Sequence, residues 1–131
     1  MADNKKKILI IDDDIDLVEA MRVTLESVGY IVIDAQEGTR GMEKLRQEKP
    51  DLVLLDVMMA HLDEGFQLAY QIRSEEAIKD TPVVILTAVG NQTGFTFDPH
   101  KDEDFLPVQA FLEKPVSPRD LIDTVREYVR A

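Results

Sequence analysis

Four short apolar runs, each followed at once by a polar or charged residue, constrain the fold of this chain more than any other feature. The runs cover residues 8–11, 52–55, 83–86 and 111–112. They show no alternation of apolar and polar residues, as expected for strands that are buried on both faces of a parallel sheet. Because the carboxyl ends of parallel strands meet at one edge, where open α/β sheets place their ligands, we expect the residues after the runs to lie together.

Helical patterns separate these runs. Apolar residues at helical spacing follow the first strand, and further helices are predicted at residues 38–48, around residues 66–72, and after Ser117, a typical N-cap that Pro118 follows. A stretch rich in β-branched residues at 30–35 supplies another strand. Strands that alternate with helices in this way predict an α/β fold with a five-stranded parallel sheet and right-handed crossovers.

Residues 90–108 break this alternation where another helix is expected. The segment contains two glycines, two prolines and three scattered phenylalanines, without a sustained helical period. Loops of this length in a compact domain are usually functional or mobile. We therefore predict that an irregular segment, with at most a short turn near residues 102–106, replaces or displaces the fourth helix.

Size and charge restrict the class of protein. A chain of 131 residues corresponds to about one domain, so we expect a single domain over residues 1–131. The net charge of -11 repels phosphate backbones and anionic lipid, and direct binding to nucleic acid or membranes is therefore not expected. The chain lacks cysteine, and the apolar run after Lys7 is too short for a signal peptide, so we expect a cytoplasmic protein.

The polar residues at the predicted sheet edge suit a divalent cation and a phosphoryl group. Asp12 and Asp13 follow the first strand, and Asp56, Thr87 and Lys114 end the later ones. Three converging carboxylates would repel one another and raise at least one pKa, a conflict that a magnesium ion resolves. Asp56 could attack phosphorus, Thr87 could donate a hydrogen bond to a phosphoryl oxygen, and Lys114 could pair with one.

Each of these residues also has an ordinary structural interpretation. An aspartate or threonine at a strand end often only completes a turn, and most surface lysines are solvated. Asp14 is best explained as the N-cap of the next helix. Phe111 is a lone aromatic residue, for which packing is the commoner role. The combination at one sheet edge, rather than any single residue, makes the phosphoryl site specific.

With these motifs in this order, the chain resembles a response-regulator receiver domain, the phosphoacceptor module of two-component signalling, of the chemotaxis-regulator type. The resemblance rests on residues 8–14, 50–59, 87–88 and 111–115, and it covers essentially the whole chain. It implies a flavodoxin-like, doubly wound five-stranded sheet with strand order 2-1-3-4-5.

The resemblance also implies a magnesium-dependent phosphorelay function. Asp56 would accept a phosphoryl group from a sensor histidine kinase or a phosphotransfer protein. Asp12, Asp13, Asp56 and the backbone carbonyl of Met58 would bind Mg²⁺. The protein would thus be a signalling switch and not an enzyme with a turnover substrate.

By the same resemblance, three further residues respond to phosphorylation. Thr87 and Lys114 would hold the phosphoryl oxygens. Thr87 and Phe111 would act as the switch residues, because the added negative charge draws the hydroxyl and the ammonium inward. The resulting change in protein contacts would be read by an unknown downstream protein.

Departures from the family pattern leave a second function open. Ala60 stands where the family usually has proline, the loop at residues 61–65 is altered, and the interval from Thr87 to Lys114 is longer than usual. A non-phosphorylated, receiver-like interaction module is therefore the alternative. A phosphatase or nucleotide-binding enzyme is disfavoured, because the chain has no glycine-rich phosphate loop and no second carboxylate two residues after Asp56.

Overall fold

The computed structural model describes residues 5–56, 64–88, 110–114 and 116–129, without the side chains of residues 64–67, 87 and 88. The predictions for the loop after Asp56, and the predicted irregular segment at residues 90–108, therefore lie outside the described residues.

Strands and helices alternate along the described chain. The strands are β1 (Lys7–Ile11), β2 (Ile31–Ala35), β3 (Leu52–Asp56), β4 (Val83–Ala88) and β5 (Ala110–Lys114). The helices are α1 (Ile15–Glu26), α2 (Gly38–Glu48), α3 (Glu64–Ser74) and α4 (Pro118–Tyr128). Each predicted strand and each predicted helix in this part of the chain is present, which confirms the α/β class.

All five strands are parallel and lie in the order β2-β1-β3-β4-β5. This is the predicted flavodoxin-like order, with β1 and β3 as neighbours near the centre of the sheet. Ile11 at the end of β1 pairs with Leu55 of β3, so Asp12 and Asp56 come next on adjacent strands. Lys114 is the last residue of β5 and therefore ends at the same edge.

Two helical layers cover the sheet, one on each face. The buried residues of α1 and α4 on one face are Val18, Met21, Leu25, Leu121 and Val125. Those of α2 and α3 on the other face are Met42, Leu45, Leu68, Ala69 and Ile72. Because β1 and β3 are buried on both faces, they carry no outward polar row. Within the described residues, no helix has the length and apolar content that crossing a membrane requires.

The helix ends show the capping chemistry that the sequence predicts. Asp14 accepts a hydrogen bond from the Leu17 amide at 3.2 Å, and Ser117 accepts one from the Asp120 amide at 3.1 Å. Gly29 follows α1 with a φ of 103°, in the left-handed region that favours glycine. The Asp14 bond fixes where α1 begins, directly beside the acidic edge of the sheet.

Two cationic side chains close the outer edge of β2. The Val32 and Asp34 carbonyls point away from β1, since alternate residues of β2 bond to that strand. Arg22 of α1 donates to the Val32 carbonyl at 2.8 Å, and Lys44 of α2 donates to the Asp34 carbonyl. The two cations come from helices on opposite faces. They occupy acceptors that would otherwise be open to a strand from another chain.

Removing both cations should open this edge. We expect Arg22→Met combined with Lys44→Met, which keeps the aliphatic stems, to self-associate at about tenfold lower concentration than the native protein, because each freed carbonyl gains roughly 0.5–1 kcal/mol on pairing. Sedimentation velocity measures this. Arg40→Met with Lys79→Met is the control, since it removes two other surface cations and leaves the same net charge. Equal sedimentation of the two double variants would contradict the edge-closing role.

Gly41 allows α2 to lie directly against β1. A Cβ at this position would lie 2.5 Å from Cδ1 of Ile11, a fully buried residue. We expect Gly41→Ala to lower the free energy of unfolding by about 1–2 kcal/mol, because overpacking outweighs the gain in helix propensity. Adding Ile11→Val, which removes the crowding methyl group, should recover part of this loss in urea denaturation. If the losses in unfolding free energy of the two single variants simply add in the double variant, the methyl group that Gly41→Ala adds does not clash with Ile11.

Candidate functional site

Three carboxylates converge at the carboxyl edge of the sheet. Asp12, Asp13 and Asp56 each place a carboxylate oxygen within 4.8 Å of the others. Asp12 and Asp56 are buried, at 0% and 2% exposure, whereas Asp13 is exposed to solvent. The neighbouring positions of β1 and β3 produce this convergence, as the sequence predicts. Negative charge is thus concentrated in a partly dry site, where repulsion between carboxylates is strong.

Lys114 reaches this carboxylate group from the end of β5. Its Nζ lies 2.9 Å from Oδ2 of Asp12 and 3.5 Å from Oδ1 of Asp56. Because β4 lies between β5 and β3, the lysine stem extends past the end of β4 to make these contacts. The sequence predicts that Lys114 faces a phosphoryl group, and the structure adds that its ammonium is a counter-ion for two buried carboxylates.

The environment of Lys114 raises the pKa of its ammonium. Burial by itself lowers that pKa, but the hydrogen bond to Asp12 and the negative charges of Asp56 and Asp12 outweigh burial. A lysine whose pKa is higher in the folded than in the unfolded state stabilises the fold. This stabilisation is fully present at pH values below the ordinary lysine pKa of 10.5. This contribution is lost as the pH rises through the higher pKa of the folded protein, so the ion pairs are intact at neutral pH.

The two carboxylate oxygens of Asp12 have different surroundings. Oδ1 accepts a hydrogen bond from the backbone amide of Asp14 at 2.9 Å. Oδ2 is buried, accepts no hydrogen bond from a backbone amide of the described chain, and meets the Lys114 ammonium as an ion pair. The Asp12 amide itself donates to the Ala35 carbonyl at 3.0 Å. Sequence reasoning missed the amide of Asp14, since no side-chain pattern marks a backbone donor.

The other predicted site residues are placed less completely. Thr87 lies in β4, paired in register with Glu113 of β5, so its backbone is at the same edge, but its side chain is outside the described atoms. Met58 is outside the described residues. Phe111 is partly buried in β5 and packs against the apolar layer under α2 and α3. The structure thus shows a packing role for Phe111, and its switch role stays a prediction.

The donor set fits a divalent cation. Carboxylate oxygens are the ligands that Mg²⁺ prefers, and Asp12, Asp13 and Asp56 bring three of them together. One ammonium, that of Lys114, balances only part of their charge. The buried Asp12 Oδ2 accepts no hydrogen bond from a backbone amide of the described chain, and beside its contact with Lys114 it has a lone pair available for a metal.

This geometry agrees with the chain's similarity to known proteins. Residues 8–126 match the family model of the response regulator receiver domain. The chain belongs to this family. Receiver domains are signalling modules of two-component systems, so the predicted family and the predicted signalling class are confirmed.

The sequence relatives of this receiver domain include transcriptional regulators. It is 35% identical to the alkaline phosphatase synthesis transcriptional regulatory protein PhoP of Bacillus subtilis, over 95% of this chain and 49% of that protein. It is 34% identical to the DNA-binding dual master transcriptional regulator RpaA of a Synechocystis strain, again over 95% of this chain and 49% of the relative. The chain thus spans about half the length of these relatives.

Solved structures show the same fold. The chemotaxis response regulator CheY4 of Vibrio cholerae superposes with a TM-score of 0.80 at 26% identity, over 96% of this chain and 100% of that chain. A CheY-like receiver domain protein from Methanospirillum hungatei gives a TM-score of 0.77 at 26% identity, over 95% of this chain and 93% of that chain. The flavodoxin-like strand order is therefore the family's order.

Proposed function

We propose that this receiver domain accepts a phosphoryl group on Asp56 from a sensor histidine kinase or a phosphotransfer protein, in a magnesium-dependent reaction. The position of Asp56 carries the proposal. Its carboxylate is buried at the end of β3, beside the carboxylates of Asp12 and Asp13, and its Oδ1 lies 3.5 Å from the Lys114 ammonium. A nucleophile flanked by cation ligands and a cation is what phosphoryl transfer requires.

Asp56 acts as the nucleophile in this reaction. One of its carboxylate oxygens forms a bond to phosphorus, and the bond between phosphorus and the imidazole nitrogen of the donor histidine breaks. The electron pair of the broken bond leaves with the imidazole. The product on this chain is an acyl phosphate at the end of β3, held within the same group of charged residues.

The surrounding residues stabilise the charge on the transferred group. Asp12, Asp13 and Asp56 would hold Mg²⁺, with the Met58 carbonyl as a further proposed ligand, and a bound Mg²⁺ would supply the positive charge that offsets charge developing on phosphorus. Lys114 is close enough to Asp56 for its ammonium to pair with a phosphoryl oxygen. Thr87, at the same edge on β4, is the proposed hydroxyl donor.

Phosphorylation would change protein contacts through Lys114. A phosphoryl group adds roughly 1.5–2 negative charges, which compete with Asp12 for the ammonium. Phe111 lies three residues earlier on the same strand and is only partly buried, so a shift of β5 would reach it. We propose that a downstream protein reads this change. Direct nucleic-acid binding by this domain is not proposed, given its charge of -11.

Acetyl phosphate, a small phosphodonor, tests the proposal without a cognate kinase. The native protein is incubated with acetyl phosphate and either Mg²⁺ or EDTA, and its intact mass is measured. We expect one added phosphoryl group with Mg²⁺ and none with EDTA, and peptide mapping should place it on Asp56. A protein that stays unlabelled in both conditions would support the alternative, a receiver-like interaction module that takes no phosphate.

A further inference from the structure

Asp14 makes two hydrogen bonds at the start of α1. Its side chain accepts from the Leu17 amide at 3.2 Å and so caps the helix. Its own backbone amide donates to Oδ1 of Asp12 at 2.9 Å. The cap holds Asp14 in an extended conformation, with φ -86° and ψ 97°, at the point where the chain turns from β1 into α1. The side-chain bond of Asp14 therefore restrains the peptide group that contacts Asp12.

This contact decides which oxygen of Asp12 remains for a cation. With Oδ1 occupied by the Asp14 amide, the carboxylate plane of Asp12 is fixed. Oδ2 is then the oxygen that faces the Lys114 ammonium at 2.9 Å, and it accepts no hydrogen bond from a backbone amide of the described chain. Outer partners that orient a ligand in this way commonly affect metal affinity, even though they never touch the metal.

We propose that Asp14 is a positioning residue for the cation site. Its N-cap bond to Leu17 keeps its amide against Asp12 Oδ1, and this keeps Asp12 Oδ2 directed toward the cation. The proposal rests on the magnesium-dependent function proposed above. It assigns the effect to the cap, whereas the exposed carboxylate of Asp14 offers a second explanation, a simple attraction between its charge and the metal.

Substitutions at Asp14 separate these two explanations. Serine and asparagine are neutral but still cap a helix, whereas alanine is neutral and does not. We expect Asp14→Ser and Asp14→Asn to bind Mg²⁺ with affinities within about twofold of each other, and Asp14→Ala to bind about fivefold more weakly than either, as a loosened outer contact would. Isothermal titration calorimetry on the full chain measures these affinities, with Mg²⁺ as the only ligand.

A second measurement reports on the metal-free protein. Hydrogen exchange of the residue 14 amide, followed by NMR, should be about fivefold faster in Asp14→Ala and close to native in Asp14→Ser, because the cap restrains this amide. The control is Ser117→Ala, which removes the N-cap of α4, a helix that supplies none of the three carboxylates, at a comparable cost in stability. It should leave both the Mg²⁺ affinity and the residue 14 exchange rate unchanged.

The outcomes distinguish this proposal from the function on which it rests. If the native protein binds Mg²⁺ and Asp14→Ala binds it as tightly as Asp14→Ser, the cap has no positioning role and the proposal is wrong. If Ser117→Ala weakens binding as much as Asp14→Ala, the effect is one of general stability and the proposal is wrong. A native protein that binds no Mg²⁺ would instead overturn the proposed function itself, and this role with it.

Discussion

Replacing Asp56 by asparagine is expected to abolish phosphorylation of the chain, so that intact mass shows no adduct after incubation with acetyl phosphate and Mg²⁺. The amide cannot serve as the attacking carboxylate, and the neighbouring carboxylates of Asp12 and Asp13 are the proposed cation ligands. The fold should survive the change. Asp56 lies within 4.8 Å of the oxygens of Asp12 and Asp13, and removing its charge relieves repulsion. The free energy of unfolding should therefore equal or exceed the native value.

The control for this variant is Asp51→Asn. Asp51 precedes β3, at the opposite edge of the sheet, and its carboxylate accepts a hydrogen bond from the Lys7 amide at 2.8 Å. The Asp51→Asn substitution removes one aspartate charge, just as Asp56→Asn does. We expect Asp51→Asn to weaken the fold slightly and to accept a phosphoryl group normally. A magnesium-dependent adduct that persists in Asp56→Asn would mean that another carboxylate is the acceptor.

The sequence could predict the sheet and the carboxylate group because both follow from chain-local patterns. An apolar run without polar alternation, such as residues 52–55, has to be buried on both faces, and a parallel sheet provides that environment. The polar residue that ends such a run is then placed by topology alone, which brings Asp56 beside Asp12 whatever the side-chain details. The same reasoning places Lys114 at the edge but does not select its partner.

Contacts that depend on exact register and side-chain direction were beyond sequence reasoning. To predict the hydrogen bond from Arg22 to the Val32 carbonyl, one has to know which carbonyls of β2 point outward. To predict the hydrogen bond from the Asp14 amide to Asp12, one has to know the geometry of the turn between β1 and α1. The 2.9 Å contact of Lys114 with Asp12, closer than the 3.5 Å contact with Asp56, depends on how the lysine stem crosses β4. No spacing in the chain encodes these distances.

Replacing Lys114 by methionine is expected to lower the free energy of unfolding by about 3 kcal/mol at neutral pH without Mg²⁺, because removing the cation of a buried ion pair leaves its negative charge less compensated. Asp12 and Asp56 are almost fully buried, and the Lys114 ammonium is the cation that faces both of them in the described chain. Methionine keeps most of the apolar stem, so lost packing contributes little.

Added Mg²⁺ should restore much of the stability that Lys114→Met loses, since a divalent cation replaces the missing positive charge between the carboxylates and stabilises the folded state by mass action. Urea denaturation with and without Mg²⁺ measures both effects. Lys7→Met is the control: its ion pair with Glu48, at 2.9 Å, is partly exposed, so its loss should cost under about 1 kcal/mol and show no added response to Mg²⁺. A Lys114→Met variant as stable as the native protein without Mg²⁺ would mean that the buried carboxylates tolerate their own repulsion, and the electrostatic basis for a cation at this edge would then fail.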